Sequence, residues 1–153
     1  MKAKIKGYWF YGYSGVGKTF TSKYLNKRIL NSVIIDGDDV RKLISVDLKY
    51  TLRDREIQMF RLLGICKLII NNNLFPIVSA SSLNKNFLNY LIKNKIAVYN
   101  IKRNMNDAIK NNATYKNKKN VMGIDLKMPK LKTKIIYNTG NKKFYSELRK
   151  LIF

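Results

Sequence analysis

Gly12-Tyr13-Ser14-Gly15-Val16-Gly17-Lys18-Thr19 is the stretch that decides the fold. Its spacing, Gly-x-x-x-x-Gly-Lys-Thr, follows an apolar run at Tyr8–Tyr11 and opens a segment of helical character. Glycines at 12, 15 and 17 allow backbone conformations closed to other residues, so successive N–H groups can turn inward on an anion. A helix start at the same place adds partial positive charge. Gly12, Ser14, Gly15, Val16, Gly17, Lys18 and Thr19 are therefore the expected phosphate-binding set. Lys18 is suited to the β- and γ-phosphates of a nucleoside triphosphate, and the Thr19 hydroxyl to Mg²⁺. A glycine-rich turn with no ligand is the plain alternative, but it does not call for Lys and Thr in register. The loop specifies a nucleotide rather than a reaction, because GTPases, ATPases and small-molecule kinases share it.

Outward from the loop, apolar runs alternate with longer mixed segments, the βαβα pattern of a parallel sheet covered by helices. Strands are expected at Tyr8–Tyr11, Val33–Ile35, Pro76–Ser79, Ile96–Ile101 and Lys134–Tyr137. Helices are expected near 17–30, 54–72, 83–93, 104–112 and 141–152. Residues 113–131 show no clean period and are rich in Lys and Asn, which reads as a functional flap or a loose loop. No repeat or linker divides the chain, so residues 1–153 are expected to form one α/β domain.

With 46% hydrophobic residues, the 153-residue chain can build a core without staples. Cys66 has no disulfide partner and lies in a helical apolar context, which suggests a buried thiol and a reducing compartment. The chain has no histidine, which excludes imidazole catalysis and histidine metal sites. The run Tyr8–Tyr11 is too short for a signal sequence or a membrane span, so a cytoplasmic protein without a membrane partner is expected. A net charge of +22 suits anionic substrates and would also suit a nucleic-acid binder. The lysines are spread over nearly every segment, with one local cluster at Lys116, Lys118 and Lys119. That spread reads as compositional bias, and no specific nucleic-acid partner is expected.

The second strand ends in Asp36-Gly37-Asp38-Asp39-Val40-Arg41. Ligands of parallel open sheets sit beyond the carboxyl ends of the strands, so this acidic cluster faces the loop's crevice. A carboxylate there can take a proton from an attacking hydroxyl or hold magnesium through water. Arg41 can clamp an anion bidentately. The competing reading is an acidic N-cap of a following helix, which Asp36 or Asp38 could serve.

Asp36–Arg41 resembles the D-G-D-N-V-R motif of adenylylsulfate kinases. Asp47-Leu48-Lys49-Tyr50-Thr51-Leu52-Arg53-Asp54-Arg55 is similar to their D-L-G-F-S-x-x-D-R. Met122-Gly123-Ile124-Asp125 is similar to T-G-I-D, and Asn138-Thr139-Gly140 to the D-T-G after the last strand. The resemblance runs in order from about residue 8 to 140. It implies a three-layer domain with a central parallel sheet of five strands in the order 2-3-1-4-5. It also implies transfer of the γ-phosphoryl of ATP, with Mg²⁺, to the 3′-hydroxyl of adenylylsulfate. Carried over residue by residue, Asp38 and Lys18 are the catalytic pair. Arg41, Tyr50, Arg55, Gln58, Ser81, Lys119 and Ile124 join Asp38 on the acceptor. Tyr50 takes the place of a phenylalanine that stacks on the acceptor base, which an aromatic face suits. Family members often work as dimers, so a homodimer is a further expectation.

Several departures cluster around the acceptor. The family's E-N-I-R-R helix reads Ile57-Gln58-Met59-Phe60-Arg61, and Val121 stands where a second aromatic would close on the base. Asn111-Asn112 falls near the family's Arg-Asp pair. A branch of the family phosphorylates cytidine diphosphoramidate, and the altered wall at Val121 keeps that acceptor open. An RNA-binding protein on a degenerate kinase fold is the alternative from another class. A guanine-reading Asn-Lys-x-Asp is absent after the fourth strand, where Asn100-Ile101-Lys102-Arg103 stands.

Overall fold

A computed structural model describes residues 4–110, 112–116 and 119–152. The expectations placed on Asn111 and Lys118 lie outside the described residues.

The first strand, β1 (Gly7–Tyr11), is buried along its whole length, as a central parallel strand must be. Its side chains alternate between two cores. Trp9 and Tyr11 pack with Leu62, Leu63, Cys66 and Phe87, from helices α3 (Leu52–Asn71) and α4 (Lys85–Lys93). Tyr8 and Phe10 pack with Leu25, Ile29, Phe144 and Leu148, on the side of α1 (Lys18–Asn26) and α6 (Lys142–Arg149). Alternation on one strand thus produces three layers.

The remaining strands are β2 (Ser32–Asp36), β3 (Phe75–Ala80), β4 (Ile96–Lys102) and β5 (Lys134–Tyr137), all parallel, in the order β2-β3-β1-β4-β5. Each expected strand lies within about a residue of its observed bounds. Ser79 of β3 pairs with Phe10 of β1 and with Asp36 of β2, so three strands end level at one edge. The loops that leave them share that edge. Cys66 is fully buried, and desolvation pushes its thiol up to about 12, so it is inert packing.

Two elements differ from expectation. A short helix, α2 (Gly37–Leu43), follows β2 directly. The described residues of 113–131 are tied down. They hold a 3₁₀ turn at Ala113–Lys116, and Tyr115, Val121 and Met122 are buried. Helix α5 (Met105–Ile109) precedes this segment and is shorter than expected.

Candidate active site

Backbone geometry makes the loop. Gly17 has φ +101°, and a Cβ there would sit 2.3 Å from Asn138 Nδ2. Gly12 has φ +153°, with a hypothetical Cβ 2.4 Å from the Ile101 carbonyl oxygen. No L side chain fits either position. Val16 is driven into the core below, and Asn138 Nδ2 donates to its carbonyl at 2.8 Å. Gly12 and Val16 therefore shape the loop, while Ser14, Gly15, Gly17, Lys18 and Thr19 wall the cleft. Lys18 Nζ donates to the Tyr13 carbonyl at 2.7 Å. Desolvation lowers its ammonium to about 8, against the opposing pull of the Asp38 and Asp36 carboxylates.

The acidic cluster divides its work. Asp36 Oδ1 accepts from the Asp38 N–H at 2.9 Å, which is the N-cap of α2. Asp36 Oδ2 accepts from the Thr19 hydroxyl at 2.6 Å. Asp38, one turn into the cleft wall, is exposed. The N-cap reading of the motif therefore holds at Asp36, which leaves the Asp38 carboxylate uncommitted to the cap.

Helix α3 opens with a capping box, in which Thr51 Oγ1 accepts from the Asp54 N–H and the Asp54 side chain accepts from the Thr51 N–H. That cap fixes where Arg55 and Gln58 project. Arg55 is buried and gathers oxygens from three segments: Tyr50 O at 3.1 Å, Ser81 Oγ at 2.8 Å and Asn120 O at 2.8 Å. Burial, with Arg41 nearby, pulls the Arg55 guanidinium below its usual range. Arg41 donates to the Lys49 carbonyl. The two guanidinium carbons lie 4.7 Å (Arg41) and 5.7 Å (Arg55) from the Tyr50 ring centroid. The ion pairs among the described residues are Arg61–Asp47 and Lys150–Glu147, and neither involves Arg41 or Arg55. Tyr50 is half-exposed rather than a core residue. Gln58 Nε2 donates to the Gly37 carbonyl at 3.0 Å, while its buried Oε1 has no partner among the described residues.

The flap closes the far wall. Asp125 accepts from the N–H groups of Asn120 and Val121, the latter at 2.5 Å, which curls the turn and aims the Asn120 carbonyl at Arg55. Val121 is buried against the cleft, and Lys119 is exposed at its rim. Ile124, expected on the acceptor, is 45% exposed and is not among the residues that wall the cleft. Sequence reasoning also missed how the flap is fastened. Asn112 Nδ2 donates to Ser14 Oγ at 2.9 Å, and the Tyr115 hydroxyl donates to the Ser14 carbonyl at 2.8 Å. No motif announces those contacts.

These residues enclose one cleft of about 710 Å³, with the loop on one side and Asp38, Arg41, Tyr50, Arg55, Gln58 and Ser81 on the other. Groups of three or more His, Cys, Asp or Glu side chains fit to hold a metal are absent among the described residues. Thr19 Oγ1 and the Asp36 carboxylate are nonetheless adjacent hard oxygens. Such a pair fits a small divalent cation that takes its other ligands from phosphate and water. No helix of the described residues is long and apolar enough to cross a membrane.

Known proteins are similar to this chain in sequence and in fold. The chain is similar to the adenylyl-sulfate kinase of Buchnera aphidicola subsp. Acyrthosiphon pisum, 35% identical over 78 residues. That match takes in 48% of this chain and 38% of the relative. A bifunctional enzyme CysN/CysC of Xylella fastidiosa is 33% identical over 87 residues, 51% of this chain and 14% of that one. The chain thus spans well under half the length of these relatives. The fold is similar to that of Mycobacterium tuberculosis APS kinase CysC, solved in complex with AMPPNP and APS. The TM-score is 0.79 at 18% identity, covering 97% of this chain and 96% of that one. The adenylylsulphate kinase family model matches residues 5–118, and the chain belongs to that family.

Proposed function

We propose that the protein is an ATP-dependent phosphotransferase that passes the γ-phosphoryl group to the 3′-hydroxyl of a nucleotide, with adenylylsulfate as the foremost acceptor. One observation carries the reading. Lys18 and Thr19 face Asp38, Arg41, Tyr50 and Arg55 across a single cleft. Phosphoryl transfer asks the protein for little beyond positioning and charge stabilisation. The loop amides and Lys18 hold the β- and γ-phosphates and neutralise charge on the migrating group. Asp38 orients the acceptor hydroxyl and takes its proton as the bond to phosphorus forms. Arg41 and Arg55 bind the acceptor's anionic groups, with Ser81 and Gln58 beside them and Lys119 at the rim. Tyr50 stacks on the acceptor base. Thr19 and Asp36 would hold Mg²⁺, which would supply positive charge to offset that of the phosphates.

A second acceptor, cytidine diphosphoramidate, is favoured by one feature, the aliphatic Val121 in the wall that would face the acceptor base. The deciding experiment follows ATP consumption with adenylylsulfate and cytidine diphosphoramidate side by side and identifies each product by mass. A product heavier by one phosphoryl group from adenylylsulfate is the expected result. ATP turnover with neither acceptor, or none at all, would overturn the reading.

A further inference from the structure

The loop fixes where a triphosphate ends, and the sheet order fixes which way its nucleoside must leave. Asp38, Arg41, Tyr50, Arg55 and Ser81 follow β2 and β3, on one side of β1. Transfer in line puts the attacking and leaving oxygens on opposite sides of the migrating group. The donor's nucleoside therefore extends toward the β4–β5 side. Phe20, the residue after Thr19 in the first turn of α1, packs against α6, the helix that follows β5. Its ring is 47% exposed, yet it belongs to the wall of the cleft.

Three other rings brace it from behind. Tyr24 lies 6.4 Å away at 27°, Phe144 at 6.2 Å and 33°, and Tyr145 at 6.1 Å and 74°, centroid to centroid. Phe144 and Tyr145 belong to α6, which follows β5, so the brace ties Phe20 to the side opposite the acceptor groups. A half-exposed phenylalanine at a cleft rim leaves apolar surface in water. When the ring is held rigid, little freedom is lost as a flat ligand settles on it.

We propose that Phe20 is the platform on which the base of the donor nucleotide stacks. This rests on the phosphotransferase reading above and adds a residue that no phosphate motif contains. A ring face attracts any base, so the stack supplies affinity without choosing among bases.

The test compares ATP with inorganic tripolyphosphate, each titrated calorimetrically with Mg²⁺ and no acceptor. The proteins are wild type, Phe20→Ala, Phe20→Leu and Phe20→Tyr. Phe20→Ala and Phe20→Leu should weaken ATP roughly five- to a hundredfold and leave tripolyphosphate nearly unchanged, while Phe20→Tyr keeps wild-type affinity for both. Phe20→Leu retains apolar packing against α6, so its ATP loss cannot come from a collapsed brace. Equal losses for both ligands in Phe20→Leu, or no loss for ATP, would overturn the platform alone. A folded wild type that binds neither ligand overturns the phosphotransferase reading and takes the platform with it.

Discussion

The Thr19 hydroxyl donates to Asp36 Oδ2 at 2.6 Å, joining the first turn of α1 to the end of β2 across the sheet edge. The other oxygen of the same carboxylate caps α2 through the Asp38 N–H. Asp36 thus couples the donor loop to the helix that carries Asp38. Its two oxygens can be separated by mutation. Asp36→Asn keeps a cap acceptor, since Asn caps about as well as Asp, so thermal stability should hold. Asp36→Ala should lose about 1 kcal/mol with the cap. Both should lower turnover and raise the Mg²⁺ concentration needed for half-maximal rate. An Asp36→Asn enzyme with ordinary magnesium dependence would remove Asp36 from the metal's surroundings.

Lys18 provides a pH signature. Its folded-state value of about 8 lies below the ordinary 10.5 because the ammonium is desolvated. Below pH 8 the lysine is charged in folded and unfolded chains alike, and the cost of burying it is fully present. Between about 8 and 10.5 the unfolded chain binds a proton that the folded chain has lost, so this group's contribution to stability rises with pH. Polyphosphate binding favours the charged form and should draw in a proton. ATP affinity should be flat below pH 8 and weaken by up to about tenfold per pH unit above it. Calorimetry at pH 8.5 in buffers of different ionisation heat measures the uptake, and Lys18→Ala should abolish both uptake and turnover. Affinity that stays constant to pH 9.5 with no proton uptake counts against this account.

Asp38 should govern the chemical step. Asp38→Asn keeps the size and much of the hydrogen bonding but gives up charge and proton-accepting capacity. Turnover should fall roughly 10²–10⁴-fold. The acceptor KM should change far less, because an interaction made mainly in the transition state shows in kcat. Steady-state kinetics with each acceptor checks this. An Asp38→Asn enzyme with near-normal kcat would sink the assigned mechanism.

Sequence carried the strands well, because each is a short apolar run bounded by turn residues, and burial on both faces leaves little choice of conformation. Helix α2 was legible only as a capping option at Asp36 or Asp38, without bounds. It has seven residues, begins with a glycine and buries only Val40, so no helical period announces it. Asp36–Arg41 offered both a chemical reading and an N-cap, and the contact of Asp36 with the Asp38 N–H shows the cap. How the flap is fastened was illegible for a different reason. Its order comes from side-chain and turn hydrogen bonds, such as those at Ser14 and Asp125, rather than from periodicity. The Thr19–Asp36 contact depends on strand ends that only the sheet order brings level.

The proposed function makes Tyr50 and Val121 the residues that select the acceptor. Tyr50 is 51% exposed, so Tyr50→Ala should cost the fold little. It should weaken acceptor binding by about 1–3 kcal/mol through lost stacking, with kcat changed less than KM. Val121 is only 5% exposed, and Val121→Phe adds a ring to a packed wall. Overpacking of this kind costs about 1–3 kcal/mol of stability, so the melting temperature must be measured alongside the kinetics. If adenylylsulfate is the acceptor, a second aromatic wall should leave its KM unchanged or lower it. If the acceptor carries a pyrimidine that Val121 fits closely, the added ring should raise KM for that substrate while ATP binding stays as it was. Equilibrium titration of both acceptors against wild type and Val121→Phe separates the two cases. Unaltered acceptor binding by a folded Tyr50→Ala enzyme would instead remove the stacking wall from the account, and Val121 would lose its meaning as the opposite face.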